Sequence, residues 1–266
     1  MKNRKTGIRS RATITMAMAF TLAAMAAPVR AEMSFLTGFD YSSGDYGAPE
    51  DTRILYIPLT FKYQSDSYLL RLTVPYVSID APVGGSIIAI GPDGQPIRSA
   101  TGQRETNSGM GDVVAALGYT VLDTGASGTM LDVTGKVKFG TADEAKGLGT
   151  GENDYSLQLD GYQTFGRMTW LATAGYRVYG DPPATDFDNV PFGSFGGVFK
   201  FSPETSGGLI YDFRDNIVPG SDPQRDLTAF VTRKTGQDTK VQAYVITGLS
   251  DASADWGLGM MFTFGF

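Results

Sequence analysis

The chain has 266 residues, with 28 acidic and 22 basic side chains, no Cys and no His. The missing Cys removes disulfides, thiolate metal sites and cysteine nucleophiles. The missing His removes the commonest general base, the commonest neutral metal ligand and the usual pH switch.

Residues 1–11 carry Lys2, Arg4, Lys5, Arg9 and Arg11; an uncharged run from Ala12 to Ala27 follows, then Val29-Arg30-Ala31. A basic start, an apolar stretch and a small-residue cleavage site predict a secretory signal peptide over 1–31. The apolar run is short of the ~20 residues a spanning helix needs. Cleavage before Glu32 removes six basic groups and no acidic one, which leaves 16 basic against 28 acidic groups and a net charge of −12. The mature domain is then 32–266. An acidic exported chain without a Lys/Arg stripe excludes nucleic acid as a partner, because phosphate binding needs clustered bases.

From residue 32 onward the side chains alternate with period two, the strand signature. Leu55, Ile57, Leu59, Phe61 and Tyr63 share one face, opposite Tyr56, Pro58, Thr60 and Lys62. Leu131, Val133, Gly135, Val137 and Phe139 face away from Asp132, Thr134, Lys136 and Lys138. The pattern predicts twelve strands, over 33–42, 52–64, 67–79, 109–122, 129–140, 153–165, 167–180, 192–201, 207–216, 225–235, 238–248 and 255–266. Short connections alternate with long ones, the longest covering 80–108. Even strand number, short periplasmic turns and longer outer loops describe a closed antiparallel transmembrane β-barrel of the outer membrane. A soluble β-sandwich also alternates, but its strands are usually about 5–6 residues long.

The last strand is the sharpest single signal. Trp256, Leu258, Met260, Phe262, Phe264 and Phe266 line one face, and the other carries Gly257, Gly259, Met261, Thr263 and Gly265. Phe262, Phe264 and terminal Phe266 resemble the signal read by the barrel-assembly machinery. The bare glycine face would let bulky neighbours cross the closing strand. Aromatic residues near strand ends, among them Tyr41, Tyr68, Tyr119, Phe165, Trp170, Tyr176 and Trp256, predict interface girdles.

Closure puts the polar face inside. The expected lumen lining is Lys62, Arg71, Asp132, Lys136, Lys138, Asp160, Arg177, Lys200, Asp212 and Arg214, with Asp112 and Asp154 beside them. These charges either pair and fill the lumen or line a path for a solute. Twelve strands lie between a barrel filled by side chains and one with a wide aqueous channel, so a narrow path is expected. Segment 80–108 contains Ile87, Ile88 and Ile90, and either covers neighbouring loops or folds into the mouth as a constriction. The outer loops are acidic. Asp186-Phe187-Asp188 has carboxylates at strand spacing but lacks a calcium-loop pattern, so no metal is expected. Glycine-rich Gly147-Leu-Gly149-Thr-Gly151 precedes no helix and reads as a loop rather than a phosphate cradle. There is no catalytic elbow, and no cofactor or enzymatic role is expected.

Three segments resemble one family. They are Gly109-Met-Gly-Asp112 running into Val113 to Tyr119, Gly135-Lys-Val-Lys-Phe-Gly-Thr141, and Leu148-Gly-Thr-Gly-Glu-Asn-Asp154, with Gly175-Tyr176 beyond. The order is similar to the outer-membrane β-barrel family associated with the meta-pathway of phenol degradation. This chain departs from the family's Lys-x-Pro-Thr-Gly pattern at Lys138-Phe-Gly140-Thr-Ala142. The resemblance implies an outer-membrane channel for small hydrophobic or aromatic solutes, working by passive diffusion. The alternative is a structural or adhesion barrel with a filled lumen. Expected partners are outer-membrane lipid and lipopolysaccharide, the assembly machinery and a small-molecule solute.

Overall fold

A computed structural model describes residues 32–91, 95–183 and 185–266. The expected signal peptide, 1–31, lies outside them. Strands β1 (Glu32–Gly44), β2 (Thr52–Gln64) and β3 (Tyr68–Pro82) are followed by a short pair, β4 (Ser86–Ile90) and β5 (Pro96–Ser99). Then come β6 (Arg104–Met110), β7 (Val113–Asp123), β8 (Thr129–Phe139), β9 (Asp154–Phe165) and β10 (Met168–Val178). The chain ends with β11 (Val190–Lys200), β12 (Thr205–Arg214), β13 (Gln224–Lys234), β14 (Thr239–Gly248) and β15 (Trp256–Gly265).

The wall closes on itself. Neighbours in sequence pair antiparallel around the ring, and β1 joins β15 from Ser34↔Gly265 to Ser43↔Trp256. Twelve staves result, with β6 and β7 together forming one of them against β3. Apart from β6, which pairs only with β3, every wall strand has a partner on both sides, which satisfies the backbone without water.

Two departures from the sequence pattern have physical causes. The strand expected over 109–122 is broken at Gly111-Asp112. Its partner there is Pro75, which has no N–H to offer the ladder; Gly111 N–H donates to the Pro75 carbonyl at 2.9 Å, and a Cβ on Gly111 would sit 2.7 Å from Val77. Segment 80–108 is not a plain loop either. β3 and β6 continue their ladder to Pro82↔Arg104, and between them β4 and β5 form a separate two-stranded hairpin.

The outward face is an apolar belt: Phe61, Leu70, Leu117, Leu157, Phe195, Leu209 and Val245 are all exposed. Aromatic rings pair near the turn end (Phe35–Phe61 and Tyr68–Tyr119, centroids 5.2 and 5.1 Å apart) and the loop end (Tyr41–Trp256, 5.6 Å). An apolar band with aromatic rims on a closed sheet is the surface of a membrane-spanning barrel. Phe264 and Phe266 stand exposed at the turn end of that wall, with Phe262 half-buried beside them, and the Phe266 N–H donates to the Met33 carbonyl at 3.0 Å.

The glycine face of β15 has a visible purpose. A Cβ on Gly259 would lie 2.3 Å from the Tyr244 ring. Tyr244, Gly259 and Asp40 are successive partners across three strands, and only a bare middle residue lets the Tyr244 hydroxyl reach over to Asp40 Oδ2, at 2.6 Å.

Candidate functional site

The loop end of the lumen is packed. The β4–β5 hairpin sits between two apolar clusters on opposite walls. Ala89 and Ile97 join Ile54, Tyr56, Val77 and Ile79 of β2 and β3, with half-buried Ile88 against them. Ile87 and Ile90 join Tyr179, Phe187, Val190 and Ile217 on the far side. Ile97 is fully buried, and Arg214 Nη2 donates to the Ile90 carbonyl at 2.6 Å. The hairpin therefore packs against both walls and against the neighbouring outer loops, through Tyr46, Ala142, Leu148 and Ala254 on one side and Phe187 and Ile217 on the other.

A charge cluster pins the next loop. Lys138 Nζ lies 2.6 Å from Asp112 Oδ2 and 3.0 Å from Asp154 Oδ2, and none of the lysine side chain is exposed. It also donates to the Glu152 carbonyl at 3.2 Å. The other Asp112 oxygen accepts from the Ala142 N–H at 2.9 Å, and Asn153 Oδ1 accepts from the Gly140 N–H. A Cβ on Gly149 would lie 2.8 Å from the Ala142 Cβ and 2.9 Å from Asp112 Oδ2, so glycine is what lets this loop fold down on the carboxylate. Asp112, Lys138 and Asp154 come from the three motif segments singled out in the sequence, and they meet at one point. Their shared role here is to anchor residues 140–153 to the barrel rim.

On one side of the barrel the lumen opens, from Ser42, Asp226 and Ala254 at the loop end to Lys240 and Thr263 at the turn end. A cavity of about 210 Å³ is bordered by β1, β2, β3, β7, β8, β13, β14 and β15, with no lining residue from β9 to β12. Apolar Leu36, Pro58, Val114, Ala116 and Met261 border it together with Arg71, Lys136, Lys240, Asp40 and Asp226.

The remaining lumen-facing residues fall into two ladder rows. One row runs Lys62↔Arg71↔Ala116↔Lys136↔Ser156↔Arg177 across six strands. A second, two inward positions lower on β8, runs Asp132↔Asp160↔Thr173↔Ser194↔Asp212↔Asp226. Asp160 is held by neutral donors: Gln158 Nε2 at 2.6 Å, Thr173 Oγ1 at 2.7 Å and Thr134 Oγ1 at 3.3 Å. Arg177 is buried, donates to the Tyr179 hydroxyl and places its guanidinium 4.6 Å from that ring's centroid. Burial holds the Tyr179 hydroxyl above its usual range, so it stays protonated at neutral pH. Lys200 lies at the turn end of β11, opposite Ser206.

Sequence reasoning did not find three features. The Tyr244–Asp40 bridge and the Gln158 support of Asp160 join inward residues, and alternation alone does not pair them. At the rim, Arg104 binds Asp80 and donates to the Asp51 carbonyl at 2.9 Å, tying the hairpin's exit strand to the β1–β2 loop. Asp186 and Asp188 belong to no cluster of three or more metal-binding side chains among the described residues. Asp188 N–H donates to the Ile217 carbonyl at 2.7 Å, and the Phe187 between the two acids is buried against the hairpin.

Among solved structures, the Pseudomonas putida toluene transporter TodX is 11% identical, with 95% of each chain covered and a TM-score of 0.46. The CymD monoaromatic hydrocarbon channel is 10% identical over 88% of each chain, with the same TM-score of 0.46. The outer membrane channel DcaP of Acinetobacter baumannii is 9% identical over 90% of this chain and 97% of its own, with a TM-score of 0.40. No curated protein matches the chain significantly. Residues 50–266 match the family model described as "Putative MetA-pathway of phenol degradation", and the chain belongs to that family.

Proposed function

We propose that this barrel is an outer-membrane channel that passes small, predominantly apolar or aromatic solutes by diffusion, without chemistry. The observation that carries this reading is the β4–β5 hairpin, whose isoleucines sit in the mouth above a cavity bordered by both apolar and charged side chains. Such a mouth excludes bulky hydrophilic solutes and offers an apolar molecule contacts on the way in. In this reading the short turns face the periplasm, residues 1–31 are the exported leader, and the exposed Phe264 and Phe266 present the assembly signal. Lipid and lipopolysaccharide surround the wall. Ile87, Ile88 and Ile90 form the constriction, and the basic and acidic rows line the path beneath.

Deletion of residues 86–99 tests the reading. The purified barrel, reconstituted in liposomes, is expected to admit phenol faster than arabinose. Without the hairpin, single-channel conductance and sugar entry both rise. Unchanged conductance would remove the constriction, and no permeation of either solute by either form would establish the filled structural barrel instead.

A further inference from the structure

Three basic side chains of the lumen form no ion pair. Among the described residues, Lys62, Arg71 and Lys240 each lie beyond 4.0 Å of every carboxylate oxygen. The acids that face them are Glu32 near Lys62 and Asp160 near Arg71, while Asp40 and Asp226, which also border the cavity, accept from the Tyr244 hydroxyl and the Gln224 amide. Asp160 spends its oxygens on Gln158, Thr134 and Thr173. Arg71 and Lys136 sit two strands apart on one ladder row, separated by Ala116, whose small side chain leaves the space between them open. Both border the cavity, as do Lys240 from the opposite side and apolar Pro58 and Val114.

Size narrows the ligand further. An apolar cavity of ~150 Å³ holds a benzene ring, so about 210 Å³ takes one ring with a small substituent. A cationic wall against an apolar floor discriminates by charge as well as by shape, since a guanidinium binds an oxyanion with charge-assisted hydrogen bonds.

We propose that the cavity is a binding site for small aromatic or similarly apolar carboxylates, held by Arg71, Lys136 and Lys240, so that the channel favours organic acids over their neutral analogues. This rests on the channel reading and names its solute class. The outer loops are acidic, so any preference for anions must come from inside the barrel.

The test is equilibrium binding to the refolded full barrel in detergent, with benzoate and its neutral counterpart benzyl alcohol. Benzoate is expected to bind about tenfold or more tightly, and its affinity to fall with added salt while that of benzyl alcohol does not. The double variant Arg71→Gln/Lys136→Gln should bring benzoate to the level of benzyl alcohol and leave the alcohol unaffected, with heat-modifiable migration confirming the fold. Equal affinities, or no salt dependence for benzoate on the native protein, would overturn the proposal whatever the double variant does. Binding is read without transport, so a barrel that binds benzoate yet conducts nothing refutes the channel and not the site.

Discussion

At the loop end of the lumen, Lys138 is wedged between Asp112 and Asp154 with no side-chain exposure, whereas toward the turns Arg71 and Lys240 border a cavity with no carboxylate within 4.0 Å. Both regions belong to the same inner face and alternate by the same rule. They differ in packing. Where the hairpin and the 140–153 loop press into the barrel, a charge loses water and takes a polar partner from the protein: carboxylates for Lys138, the Tyr179 hydroxyl for Arg177 and the Ile90 carbonyl for Arg214. Where space remains, Arg71 and Lys240 form no ion pair among the described residues. The pairing state of the inner charges thus maps where the barrel is filled and where it is open.

The largest effect should come from breaking the matched end. Lys138→Ala leaves two buried carboxylates facing each other, and a loss of about 3–5 kcal/mol is expected in urea unfolding of the reconstituted barrel. Lys240→Gln, at the open end, should stay within about 0.5 kcal/mol; equal losses would erase the distinction between the two regions. Next is Ile97→Ala, which hollows the fully buried contact between hairpin and wall. Its cost is about 2–4 kcal/mol, felt locally, so proteolysis within residues 83–103 should speed up while the wall stays intact. Intact protection there would mean that the hairpin is not held by its apolar contacts. Smaller than the Ile97 effect, but above that of Lys240→Gln, is Tyr244→Phe, which removes the hydroxyl from Asp40 and costs about 1–3 kcal/mol in the same unfolding assay. A value near zero would place that bridge with the open end.

Period two carried most of the wall. It told inward from outward at Leu55 through Tyr63 and at Leu131 through Phe139, because a pleated strand leaves a side chain no other choice. It also put Asp112, Lys138 and Asp154 on the inner face. It could not join them, since their meeting depends on the shear between strands, here Val114↔Lys138↔Asp154, and shear leaves no period in a single strand. The break at Gly111 was hidden for a related reason: Pro75, which causes it, lies in another strand. Ile87, Ile88 and Ile90 were legible as an apolar patch, but what they touch is settled by clusters gathered from segments scattered between Tyr46 and Ala254.

The seam between β1 and β15 joins the first and last strands of the barrel, Ser34 to Gly265 at one extreme. No contact in the ring spans a longer stretch of sequence, so the entropy of closing it is the greatest of any stave pair. Until it forms, β1 and β15 would each leave a row of backbone donors and acceptors without a partner, an invitation to another chain. A copy released without its final ten residues would contain nearly the whole inner machinery and still be an open, adhesive sheet. The closing strand is therefore the fastening that leaves the ring without an open edge.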